Sequence, residues 1–207
     1  IRATVFLSLL TMAITSALGA CVGLVSGFFR NRIDDVLMRI CDVMMSFPSE
    51  VMILAIVGMT GPGLENVVIA NVVAKWPWYA RMVRSIVRQY SDKDYIRFAK
   101  VAGGSSIRIM MRHLLPGTAG ELFVLTTLDT GSVILMISAL SFLGLGVQPP
   151  TPEWGMMLNE AKEVMTLYPL QMIPAGMAIL LVVAAFNFLG DSLRDAFDPK
   201  HAGRERS

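Results

Sequence analysis

The chain has 207 residues, of which 54% are hydrophobic and only 16% charged, with a mean hydropathy of +0.59 and a formal net charge of +2. Ordinary soluble domains carry about a quarter charged residues, so this composition argues against one. A net charge this small matters less than where the charges sit.

Ala3 to Phe29 contains no charged residue. At about 1.5 Å per helical residue the stretch is about 40 Å long, more than the roughly 30 Å hydrocarbon core of a bilayer. The chain therefore reads as an all-α polytopic membrane protein, with spanning segments at 3–29, 35–59, 64–90, 117–146 and 171–191. In the first, Gly19, Gly23 and Gly27 repeat every four residues, a stripe that lets another helix of the same subunit approach closely. Pro48 is predicted to kink the second and Pro77 the third, which packed membrane helices tolerate. Gly61-Pro62-Gly63 makes a tight turn between these two. Cys21 and Cys41 sit in separate apolar segments and read as packing residues, not as a disulfide or a metal pair.

Glu50, Lys75, Glu121 and Asp129 lie in or near spanning segments. Charge is expensive to bury there, so each is a candidate for function or half of a structural ion pair. Lys75, beside Trp76-Pro77, and Asp129 are the two expected nearest a transport path.

The link between the third and fourth segments fixes orientation. From Arg81 to Arg112 there are eight Lys/Arg against Asp92 and Asp94, whereas 148–170 has only Lys162 against Glu153, Glu160 and Glu163. The positive-inside rule puts the first in the cytoplasm and the second outside. Alternation then puts residue 1 outside, so a further spanning helix is expected upstream, six in the full chain. The outer loop 148–170 is proline-rich, then amphipathic, with Trp154 and Tyr168 predicted as aromatic anchors at the outer surface, where a soluble binding protein can meet it.

The cytoplasmic stretch Asp94 to Pro116 is predicted to form two short amphipathic helices joined at Gly103-Gly104. Ile107, Met110, Met111 and Leu114 fall on one face of the second, with Arg108 and Arg112 on another. Ser105 or Ser106 can cap its start and Pro116 ends it. An apolar stripe turned to the cytoplasm stays exposed unless a partner docks on it. His113 and His201 form no metal site, and the fifteen methionines read as packing filler.

Here the sequence resembles the permease subunits of ABC importers, whose signature is Glu-Ala-Ala, three residues, Gly, nine residues, then Ile-x-Leu-Pro. Arg97-Phe98-Ala99 stands at Glu-Ala-Ala, Gly103 at the glycine and His113-Leu114-Leu115-Pro116 at the end, with departures at Arg97, Phe98 and His113. Two further stretches, Ala139 to Gly155 and Phe186 to Pro199, are similar to the dipeptide, oligopeptide and nickel permeases. Trp76 to Ser85 is most similar to the nickel-type subunit, the second permease of its pair.

The resemblance implies a type I importer transmembrane domain over 1–191, with an ATPase-docking loop at 94–116 and a cytoplasmic tail at 192–207. The docking residues it implies are Arg97, Phe98, Ala99, Gly103, Gly104, Ile107, Met110, Met111, His113, Leu115 and Pro116. It also implies a multi-pass protein of a prokaryotic plasma membrane. The partners would be a homologous second permease, two cytoplasmic ATPase subunits, an extracytoplasmic solute-binding protein and the lipid bilayer, with no nucleic acid. The chain has no Gly-x-x-x-x-Gly-Lys-Ser/Thr loop, so ATP and Mg are expected at partner subunits and no enzyme activity or bound cofactor here. The implied cargo is nickel or a metal–chelator complex, with a dipeptide or oligopeptide as the alternative. An ion-coupled secondary transporter would show inverted repeats and broken helices, and it leaves the docking signature unexplained.

Overall fold

A computed structural model describes residues 2–197; the predicted tail beyond Phe197, with Pro199 and His201, lies outside the described residues. Among the described residues every regular element is helical. The helices are α1 (Arg2–Phe29), α2 (Arg32–Met45), α3 (Ser49–Thr60), α4 (Leu64–Ser91), α5 (Asp94–Val101), α6 (Ser106–Ile109), α7 (Leu115–Phe142), α8 (Trp154–Glu163) and α9 (Ile173–Phe197). A π-helical segment, Met110–Leu114, joins α6 to α7, and a 3-10 turn, Pro169–Met172, leads into α9. The predicted tail begins inside α9, which runs past residue 191 to Phe197.

Ala3–Phe29, Ser106–Phe142 and Pro169–Phe197 are long and apolar enough to cross a membrane, and α2 with α3 makes a fourth crossing if the bent pair counts as one. α4, 28 residues and about 42 Å long, has the length for a crossing but not the apolar composition. It carries Lys75, Arg81, Arg84 and Arg88 within its length and sits between α1, α2, α3 and α7.

The second predicted segment differs from expectation. Its helix is broken, not kinked: α2 and α3 meet at 79°. Phe47 precedes Pro48, a position that disfavours the helical region, and the Ser46 N–H already closes α2 onto the Asp42 carbonyl. α2 begins cleanly, with the Asn31 side chain accepting from Ile33 N–H at 3.0 Å and Asp34 and Asp35 in its first turn. Pro77, by contrast, lies inside an unbroken α4.

α1 and α4 run side by side in parallel. A Cβ on Gly23 would lie 2.7 Å from both the Ala80 carbonyl oxygen and Val83 Cβ, and one on Gly27 would lie 2.9 Å from Val87 Cβ. The glycine stripe thus serves packing inside the subunit, as predicted. Two apolar cores follow from this arrangement. One gathers Leu7, Met12, Ile53, Val57, Val67 and Leu140; the other gathers Leu24, Val83, Val87, Ile96, Ile109 and Leu114. The second core ties α5 and α6 to the bundle at the end where Arg30 donates to Asp92 and to the Arg88 carbonyl. That end is the basic end, and α8 lies at the other. Cys41 is buried against Ala80 and Cys21 is exposed.

Candidate functional site

The predicted docking segment stands at the basic end. α5 closes with a pair of backbone bonds, Gly103 N–H to the Lys100 carbonyl and Gly104 N–H to the Ala99 carbonyl, both 3.1 Å. This is a Schellman close with Gly103 in the left-handed region at φ +79°. A Cβ there would touch nothing, so conformation and not space demands glycine. At Gly104 the reason is space, since a Cβ would lie 2.8 Å from the Ala99 carbonyl oxygen. Ser105 then caps α6, accepting from Arg108 N–H at 3.4 Å.

The apolar face predicted on the second helix is split. Pro116 has no N–H to send back to Arg112. Upstream the ladder shifts to a π spacing, with Leu115 N–H reaching the Met110 carbonyl. The wider turn buries Met110 and Leu114 and leaves Ile107 and Met111 exposed, at 71% and 58%. They share this end with Phe98, 74% exposed, and Val101, 87% exposed. Arg97, Gly103 and Pro116 are exposed as well, whereas Ala99, Gly104, His113 and Leu115 are half-buried. Asp92, just before α5, has its carboxyl held below the ordinary carboxylate range by the hydrogen bond from Arg30.

The predicted pathway residues come together as an ion pair. Lys75 Nζ donates to Asp129 Oδ1 at 2.9 Å and Oδ2 at 3.1 Å, and to Ser132 Oγ at 2.9 Å. Tyr79, fully buried, donates to Asp129 Oδ2 at 3.2 Å, and Ser132 donates to Asp129 as well. The pair is part-buried, with side-chain exposures of 17% and 22%, and lines a cavity of about 440 Å³. Phe47, Pro48 and Ser49, at the break between α2 and α3, form another wall, and Glu50 joins them. Lys75 is therefore both half of an ion pair and a cavity-lining residue. Glu121 is elsewhere, accepting from Tyr90 at 3.2 Å.

In the outer loop one of the two predicted aromatic anchors is misplaced. Trp154 is buried in a cluster with Ile134 and Ile179 and anchors nothing at a membrane surface; only Tyr168 is exposed. Beside it Glu153 is fully buried, accepting from Thr4 and Ser138 hydroxyls at 3.2 Å and from Met156 N–H at 3.0 Å. One side chain thus ties the loop to both α1 and α7.

Sequence reasoning missed a second charged centre. Asp34 is buried and accepts from Arg84 Nε at 2.5 Å and Nη2 at 2.8 Å, from Arg88 and from Ser26. Arg81 pairs with Asp42 at 2.8 Å. The signal was present: Arg81, Arg84 and Arg88 share one face of α4, and Asp34 and Asp42 share one face of α2.

The sequence profile of the family described as binding-protein-dependent transport system inner membrane component matches residues 19–202. The metal-staphylopine import system permease protein CntC of Staphylococcus aureus is 44% identical over 174 residues, 84% of this chain and 60% of that protein. The nickel transport system permease protein NikC of Escherichia coli is 41% identical over 182 residues, 88% of this chain and 66% of that one. The glutathione transport system permease protein GsiD of Escherichia coli is 44% identical over 190 residues, 92% of this chain and 63% of that one. The chain thus spans less than two thirds of the length of these relatives. Among solved structures, a chain of the MetNI methionine ABC transporter in an inward-facing form superposes with a TM-score of 0.68 at 17% identity, over 92% of this chain and 93% of its own.

Proposed function

Because this chain belongs to the family of binding-protein-dependent transport system inner membrane components, we propose that it is the membrane-spanning subunit of an ABC importer for nickel or a metal–chelator complex. The observation that carries the reading is the α5–α6 hairpin at the basic end. It is fixed to the bundle by Ile96, Ile109 and Leu114 while it holds Phe98, Val101, Ile107 and Met111 in the open. An apolar patch on a rigidly mounted helical turn fits insertion into a groove of an ATPase subunit. ATP hydrolysis belongs to that partner, because no phosphate-binding loop is present in this sequence. A homologous second permease would close the open side of the Lys75 cavity, where an incompletely covered ion pair facing lipid is costly. A solute-binding protein would dock at the end that carries α8.

The metal–chelator cargo rests on the names of two relatives, the metal-staphylopine and nickel permeases. A peptide is the second reading, favoured by the glutathione permease. The full-length chain, reconstituted with its partner subunits and binding protein, is expected to take up radioactive nickel, free or chelated, only with ATP. A transport-competent assembly that lacks any ATPase overturns the proposal. Peptide uptake without metal uptake selects the second reading.

Orientation is tested separately. A cysteine replacing Ser106 is expected to react with a membrane-impermeant reagent only from the cytoplasm, and one replacing Thr151 only from outside. The reverse pattern overturns the topology.

A further inference from the structure

Three helices bring polar groups to one level of the bundle, and the register of each tells which side its neighbours occupy. Glu50 on α3, Lys75 on α4 and Ser132 on α7 line two cavities at once. The larger, about 440 Å³, continues along Trp78, Tyr79 and Asp129. The smaller, about 260 Å³, continues along Ile53, Leu135, Met136 and Ala139. α3 and α7 run away from the basic end and α4 runs towards it. Ile53 lies one turn beyond Glu50, and Leu135 to Ala139 lie one to two turns beyond Ser132, both away from that end. Trp78 and Tyr79 lie one turn beyond Lys75, towards it. All three helices agree: the larger cavity is on the basic side of the charged level and the smaller on the far side.

The level itself holds one cation and two carboxylates. The Lys75 ammonium has three donors, and Asp129 and Ser132 take them. Glu50 has local partners, the Ser49 hydroxyl at 3.0 Å and its own backbone N–H, and no cation within ion-pair distance among the described residues. Glu50 is also on the separate piece of the broken span, in the first turn of α3, so it can move without carrying α2. We propose that Lys75 is the bolt of a gate between the two cavities. It closes onto Asp129 and Ser132 in the form seen here and passes to Glu50 when α3 shifts against α7. An exchange of one carboxylate for another moves the cation without leaving it unpaired in a low-dielectric interior. Two discrete pairings also supply the bistable element that a gate needs. The gate rests on the transport reading above.

The test uses the complete importer with the full-length chain, in inside-out vesicles without nucleotide and with Cys21→Ala removing the exposed native thiol. Reporter cysteines replace Met45, on the basic side, or Met136, on the far side, and a membrane-impermeant cationic methanethiosulfonate is added at the cytoplasmic face. Met45→Cys is expected to react and Met136→Cys to be protected. With Lys75→Ala, or with the neutral pair Lys75→Gln and Asp129→Asn, the Met136→Cys rate is expected to rise at least tenfold. Lys75→Arg is expected to keep the protection. Glu50→Gln is expected to leave the resting barrier closed but to lower uptake at least tenfold, because the second pairing is lost. Equal Met136→Cys reactivity with and without the Lys75 charge overturns the gate, and so does failure of the neutral pair to assemble, which makes the ion pair structural. If the unsubstituted importer shows no ATP-dependent uptake, the transport reading fails; if its uptake is normal and only the reactivity pattern is wrong, the gate alone fails.

Discussion

Replacing Gly103 by proline is expected to stop ATP-driven uptake while the protein still inserts in the membrane at its normal level. Proline fixes φ near −65°, and residue 103 sits at +79°. The ring also removes the N–H that closes α5 onto the Lys100 carbonyl. The turn must therefore open, and the angle between α5 and α6 changes. No spanning helix contains Gly103, so the loss falls on coupling and not on insertion. Milder replacements should rank by how well they accept the left-handed region. Asparagine is expected to do best, and alanine to cost about 1–2 kcal/mol locally. Uptake divided by ATPase rate is the measurement. If the proline variant transports at the unsubstituted rate, the hairpin is not the element that couples ATP hydrolysis to the membrane helices.

How much of this was legible in the sequence depends on whether a feature is local. α1, α7 and α9 could be read from run length alone, because a bilayer demands about twenty apolar residues; α4, with Lys75 and three arginines inside it, could not. The docking hairpin was legible from its glycine pair and its flanking amphipathic faces. The break at residues 46–48 was not. A proline after an aromatic residue permits either a kink or a break, and packing of Met38 and Cys41 on Ala80 but Ile53 and Val57 on the other core decides for a break. The π segment was missed because a missing N–H at Pro116 says that a carbonyl loses its partner, not where the ladder will shift. Trp154 was misread because an aromatic residue beside a proline-rich loop looks the same whether it faces lipid headgroups or Ile134. Lys75 and Asp129 were named singly; their contact joins positions 54 residues apart, which one sequence does not reveal.

Asp34→Asn is expected to be the most destabilising single substitution among the charged residues of the basic end. Removing one partner of a buried ion pair typically costs about 3–5 kcal/mol, because the other charge is left without compensation. Asp34 holds three elements at once: Ser26 on α1, its own α2, and Arg84 and Arg88 on α4. Its side chain is 4% exposed, against 26% for Arg84 and 39% for Arg88. That asymmetry decides the order of effects. An orphaned Arg88 can turn to water or headgroups, and its Nε is already without a partner. An orphaned Asp34 cannot turn away, yet the loss of one arginine still leaves it the other and Ser26. Arg88→Met should therefore cost least, Arg84→Met more, and Asp34→Asn most, since it strips both cations together. The check is a double-mutant cycle on the midpoint of thermal unfolding and on recovered importer complex. Asp34→Asn combined with Arg84→Met is expected to cost less than the sum of the two single changes, by about 1–3 kcal/mol, because the second substitution removes a charge that the first left unpaired. Strict additivity would mean that Asp34 and Arg84 act independently, and the joint that fastens the broken span to α4 would then have to be sought in Met38 and Cys41 instead.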